Sequence, residues 1–262
     1  DWVWLIPNSK GKELDELYLK LVENAVSIPD KTTERLCKAA KSANINVVMG
    51  MHERNAETSG TSLFNSLLFI DNNGGILGKH RKLIPTGGER LIWAQGDGST
   101  LHAYETNAGK VGGLICWENF MPLARNALYS QGTQILAAPT WDKSPGWLTS
   151  IQHIAREGCC WVIGCGNLMK GSDIPEDFPE KEQLYPDQQE WINPGDSVVI
   201  APGGEIVAGP MHEQSGILYC DLDIEKVGIA RRALDVTGHY SRPDIFTLQV
   251  NTRPQSPVEF ID

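Results

Sequence analysis

Apolar residues along 13–26, "ELDELYLKLVENAV", fall at Leu14, Leu17, Leu19, Leu21 and Val22 with acids and lysines between them, and this near-helical spacing predicts an amphipathic helix. The segment 30–43, "DKTTERLCKAAKSA", predicts a second helix, with Asp30 or Thr32 as its cap and Glu34 early. "INVVMGM" (45–51) is uncharged and β-branched, the pattern of a buried strand. Residues 64–82 predict strand, turn and strand, with Asn-Asn-Gly-Gly at the turn. Strands follow at 101–106 and 110–116, a helix at 122–132 closed by Gly132, a strand at 134–140, a helix at 147–158 and a strand at 159–167. The polar, Pro-rich stretch 171–193 predicts a surface loop. Residues 196–210 predict another strand–turn–strand, and 216–233 a strand and then a helix. From Thr237 the pattern is irregular.

Strands alternating with helices predict α/β layers, and the two hairpins predict mixed rather than purely parallel sheets. "SLLFIDNNGGILGKH" aligns with "SVVIAPGGEIVAGPM", Ser66 on Ser197, as a weak internal repeat of two similar halves. No linker divides the chain, so residues 1–262 read as one domain with 236–262 as a C-terminal tail.

The net charge of −10 and the lack of a long Lys/Arg cluster argue against nucleic acid as partner. No apolar run approaches the roughly 18 residues that a membrane span needs. The six cysteines form no CxxC pair and no zinc-like spacing, so reduced thiols in a cytoplasmic protein are the expectation.

Cys116 closes the apolar run "GGLIC" before "WENFMP". Pro122 suits a first helical turn and Asn119 an N-cap, which would put Cys116 on a strand-to-helix turn. Free N–H groups and a helix dipole there favour a thiolate, and the Trp117 N–H could meet a developing oxyanion. The same pattern fits a small apolar filler equally well. In "GKHRKLIPTGGER", His80 and Arg81 suit a solvated basic strand end. Lys82 alternates with Arg81 and could point inward, where an ammonium needs an acid; Glu89 is the candidate.

"KHRKLIPT", "GGERLIWAQGDGS", "GGLICWENFMPLAR" and "GHYSRPDIF", in this order over nearly the whole chain, resemble the nitrilase branch of the carbon–nitrogen hydrolase superfamily. The resemblance implies a four-layer α-β-β-α sandwich of two mixed sheets. It implies Cys116 as nucleophile, Lys82 as stabiliser of the tetrahedral intermediate, and the Trp117 N–H beside it. Glu89 becomes a second active-site glutamate, while Glu118 and Asn119 organise the turn. Trp141 fits a pocket wall or an ordinary buried aromatic; His153 and His239 read as structural. No cofactor or metal is implied, the substrate is a small nitrile, and self-association as a dimer or larger spiral is expected.

The family's general-base glutamate sits in a Phe-Pro-Glu motif near the N-terminus, and that N-terminal motif is absent from these residues. "DWVWL" (1–5) resembles the aromatic pair that succeeds it, so the base is expected just before Asp1. The family's N-terminal strand–helix–strand, roughly 40–60 residues, is likewise expected there. Two alternatives stay open: an amidase or nitrile-hydrating relative with the same machinery, and a non-catalytic fragment.

Overall fold

The computed structural model describes residues 11–256 and 258. "DWVWL" lies outside the described residues. In chain order the elements are α1 (Gly11–Asn24), α2 (Lys31–Ala43), β1 (Val47–Arg54), β2 (Leu63–Ile70), β3 (Ile76–Arg81), β4 (Tyr104–Thr106), β5 (Gly109–Gly113), α3 (Pro122–Ser130), β6 (Ile135–Thr140), α4 (Pro145–Gly158), β7 (Trp161–Gly166), β8 (Leu168–Lys170), α5 (Lys181–Leu184), β9 (Trp191–Ile200), β10 (Ile206–His212) and α6 (Glu225–Ala233).

Two sheets form. β1–β2–β3 is wholly antiparallel, so the expectation of two mixed sheets holds for the second sheet and not for the first. The second runs β10–β9–β7–β6–β5–β4, with β5, β6 and β7 parallel and the flanking pairs antiparallel. Its central strands bury both faces, which explains their unbroken apolar runs. Leu67 and Phe69 of β2 meet Val111, Ile135, Trp161 and Val199 between the sheets. Leu136, Val162 and Ile200 turn the other way, onto Leu128, Ile151 and Ile154 of α3 and α4. On the far side Leu68 and Ile70 of the first sheet meet Ala40 of α2. The layers are therefore α, β, β, α.

Local chemistry accounts for the element ends. The Asp30 side chain caps α2 by accepting from the Thr32 and Thr33 amides at 2.8 and 2.9 Å. Pro122 begins α3, but its cap is Met121 and not Asn119. Residues 216–222 form no strand, and the predicted strand 101–106 shrinks to Tyr104–Thr106. The stretch 171–193 is more than a loop: it holds a single turn at Gly171–Asp173, α5 and the start of β9.

The internal repeat is real but shifted by one residue. Asp71 N–H donates to Gly75 C=O and Gly74 N–H to Asp71 C=O; Ala201, Glu205 and Gly204 repeat both bonds. Gly74 and Gly204 both take the left-handed φ that this turn needs, +81° and +92°. Phe69 then matches Val199, both between the sheets, whereas aligning the two serines would match residues on opposite faces.

Among the described residues no helix is long and apolar enough to cross a membrane. Leu136 is fully buried in the larger core. Leu136→Ala is expected to lower the unfolding free energy by about 2–5 kcal/mol, read from the urea midpoint.

Candidate active site

Three parallel strands deliver their C-terminal ends to one place, the position at which open α/β sheets bind ligands. β6 ends at Thr140, followed by Trp141; β7 is followed by Asn167; Cys116 comes three residues after β5. A cleft of about 270 Å³ opens there. Cys116, Thr140, Trp141 and Asn167 line it from the second sheet, His52 and Asn65 from the first, and Glu89 from the loop after β3.

Cys116 does not end the strand, which stops at Gly113; it opens a single 3-10 turn, Cys116–Phe120. Its φ of +55° is left-handed, a conformation that costs a non-glycine residue of the order of 1 kcal/mol. The surroundings impose it. Asn119 Nδ2 donates to the Leu114 and Cys116 carbonyls at 2.8 and 2.9 Å, and Arg125 Nη1 donates to the Asn119 carbonyl at 2.7 Å. Asn119 thus holds the turn from inside. Among the described residues the Trp117 N–H has no backbone acceptor, as the opening amides of such a turn require. The indole of Trp117 donates to Asp142 at 2.7 Å and stays half exposed.

Lys82 and Glu89 meet as expected. Lys82 follows β3 on the inner face, buried at 1% exposure, with Nζ 2.6 Å from Glu89 Oε2. The same oxygen accepts the Thr86 N–H at 2.7 Å, which aims the carboxylate from within its own turn. Arg81, on the outer face, binds the buried Glu53 together with Lys79. His80 overturns the expectation of a solvated strand end: it lies on the inner face with Lys82, 1% exposed, its Nε2 3.0 Å from Glu118. Strand alternation explains this, because residues 80 and 82 share a face.

Two groups escaped sequence reasoning. Thr140 donates its hydroxyl to Cys116 Sγ at 3.1 Å, a contact between the end of β6 and the turn after β5, 24 residues apart. His52 lies flat against Trp93, ring centroids 5.2 Å apart. Burial pushes its imidazole down to about 4, so it is neutral at physiological pH. His52 Nδ1 and Trp93 Nε1 are buried without hydrogen-bond partners among the described residues. Neither residue carries a local motif; only the tertiary approach of β1 to the cleft would have singled out His52. No group of three His, Cys, Asp or Glu that could hold a metal occurs among the described residues.

A thiol at the cleft, a hydroxyl donor on its sulfur, and a lysine–glutamate pair beside it are equipped for nucleophilic attack on a polarised carbon. The sequence matches the carbon–nitrogen hydrolase family over residues 15–232. It is 43% identical to Nitrilase 3 of Arabidopsis thaliana, over 91% of this chain and 68% of that protein. The chain belongs to the carbon–nitrogen hydrolase family, in its nitrilase branch. It is a hydrolase acting on carbon–nitrogen bonds. Nitrilase blr3397 of Bradyrhizobium diazoefficiens is 41% identical, over 96% of this chain and 76% of that one. The bifunctional nitrilase/nitrile hydratase NIT4 of Oryza sativa is 42% identical, over 97% and 69%. The fold is that of a solved carbon–nitrogen hydrolase from Helicobacter pylori, with TM-score 0.74 and 20% identity over 94% of this chain and 80% of that one. Within this hydrolase Cys116, Glu89 and Trp141 line one cleft, and Lys82 reaches its edge through Glu89.

Thr140→Val keeps the shape and removes the donor to sulfur. Losing a hydrogen bond to a charged sulfur costs roughly 1.5 kcal/mol, so Cys116 alkylation by iodoacetamide is expected to slow about tenfold at neutral pH.

Proposed function

We propose that this hydrolase converts an organic nitrile to its carboxylic acid and ammonia, with Cys116 as nucleophile, Lys82 and the Trp117 N–H as stabilisers of the developing anion, and Glu89 as the group that aims Lys82. The observation that carries this reading is the convergence of Cys116 and the Lys82–Glu89 pair on one cleft.

The thiolate adds to the nitrile carbon and forms a thioimidate. A glutamate base, the role the family resemblance gives to its Phe-Pro-Glu motif, takes the thiol proton and later activates water. Water adds to the thioimidate to give a tetrahedral intermediate. Loss of ammonia leaves a thioester, and a second water releases the acid and restores the thiol. Loss of the thiolate instead releases the amide, with one water consumed. Relatives from rice, tobacco and lupin are named bifunctional nitrilase/nitrile hydratases, which favours this branch as a second reading. Trp141 is read as a wall of the substrate pocket.

Self-association is part of the proposal. Ile217, Tyr219 and Phe246 stand 74–80% exposed, apolar area that a second copy would cover. Six free thiols suit a reducing, cytoplasmic compartment.

Ammonia and amide are to be measured from a panel of aliphatic and aromatic nitriles and from the matching amides. Ammonia from the nitriles is expected; release from amides alone would overturn the reading. Cys116→Ala is expected to abolish turnover. Lys82→Gln is expected to lower kcat by roughly 10²–10³, the scale of losing one stabiliser of a developing anion. It should do so while Cys116 still reacts with iodoacetamide.

A further inference from the structure

Lys82 and Cys116 follow strands of different sheets, and one carboxylate is hydrogen-bonded to the backbone beside each. Glu118 Oε1 accepts the Leu83 N–H at 2.7 Å, and Oε2 accepts the Ile115 N–H at 2.8 Å. Both oxygens lie 3.0 Å from His80 Nε2. The other ring nitrogen, Nδ1, lies 3.1 Å from the Thr100 carbonyl. The side chains of His80 and Glu118 are 1% and 0% exposed.

A carbonyl and a carboxylate only accept hydrogen bonds. A neutral imidazole has one donor and one acceptor nitrogen, so one of the two contacts would set lone pair against lone pair. We infer that His80 is a buried imidazolium and that its ion pair with Glu118 clamps the Lys82 loop to the Cys116 turn, making His80 a positioning residue for the reaction proposed above.

The charges around the ring agree. Burial alone would lower the imidazole's pKa, but Glu118 and the Thr100 carbonyl outweigh it and hold the value above that of an ordinary histidine. Glu118, from the Cys116 turn, is the charged group facing the ring; the neighbouring Arg81 turns outward to Glu53. Both oxygens of Glu118 accept backbone N–H bonds, the role of an acceptor-only carboxylate. The raised pKa fixes the direction of the pH effect. The clamp is fully formed below the ordinary histidine value of about 6.5 and is lost as pH rises through the raised value, leaving Glu118 buried without its counter-charge.

The inference rests on the nitrilase reading only for its effect on turnover, and the test keeps the two apart. With ¹⁵N-labelled histidine, His80 is assigned by difference against His80→Gln. Its two ring nitrogens are expected to give the near-equal shifts of an imidazolium at a pH above the ordinary histidine value of about 6.5. The widely split shifts of a neutral tautomer would overturn the inference, whether or not any nitrile is hydrolysed. In His80→Gln, shown folded by near-UV circular dichroism, alkylation of Cys116 is expected to fall at least fivefold with exposed Cys165 unchanged. On a nitrile substrate kcat should fall at least tenfold with KM within twofold, and the alkaline fall expected of the parent should be gone. Unchanged alkylation in the folded variant would sink the positioning role. Should the variant not fold, the protonation measured in the unsubstituted chain decides.

Discussion

An ammonium with no exposed surface can persist only against a carboxylate, and the Lys82–Glu89 pair meets that demand between the two sheets. Much of the local architecture depends on it. The chain after β3 must turn back within seven residues, and the Gly87–Leu91 turn does so with Glu89 capped by the Thr86 amide. Trp93 N–H then returns to the Glu89 carbonyl, which sets the indole against His52. Removing either partner would strand the other, so the pair is more costly to break than to have formed.

The cleft beside this pair comes from strand direction. Parallel β5, β6 and β7 end together, and each end leads into a polar or reactive group: Cys116, Thr140 with Trp141, and Asn167. The left-handed backbone at Cys116 is held by Asn119, itself braced by Arg125, which also binds Glu157 of α4. The turn's strain is therefore supported by groups reaching back into the α-helical layer. A 3.1 Å bond from Thr140 completes the sulfur's setting.

Much of this is legible in the chain. Helical periodicity locates α1 and α2, and continuous apolar runs locate β6 and β7, because burial on both faces leaves no alternation to confuse. The Lys82–Glu89 pair is legible from seven-residue spacing and the cost of burying an ammonium. The hairpin repeat is visible, but two matching serines suggest a false register; the left-handed glycine, which the turn geometry requires, marks the true one. The apolar content of 216–222 suggests a strand that does not form; β10 ends its sheet, and among the described residues no strand pairs with this segment. His80 reads as solvated because its neighbours are basic, although its alternation with Arg81 already puts it on the face of Lys82.

The chain by itself determined where the elements lie, which face of each is apolar, and that a thiol, a lysine and a glutamate stand at element ends. Periodicity and the price of burying charge act locally, so they are written locally. Only the packed fold decided the partners across long gaps: Thr140 on the sulfur of Cys116, His52 at the cleft, and His80 on Glu118, 38 residues away. Those contacts depend on which strands pair and how two sheets stack. No spacing along the sequence encodes the distance between residues that meet only when the sheets close on each other.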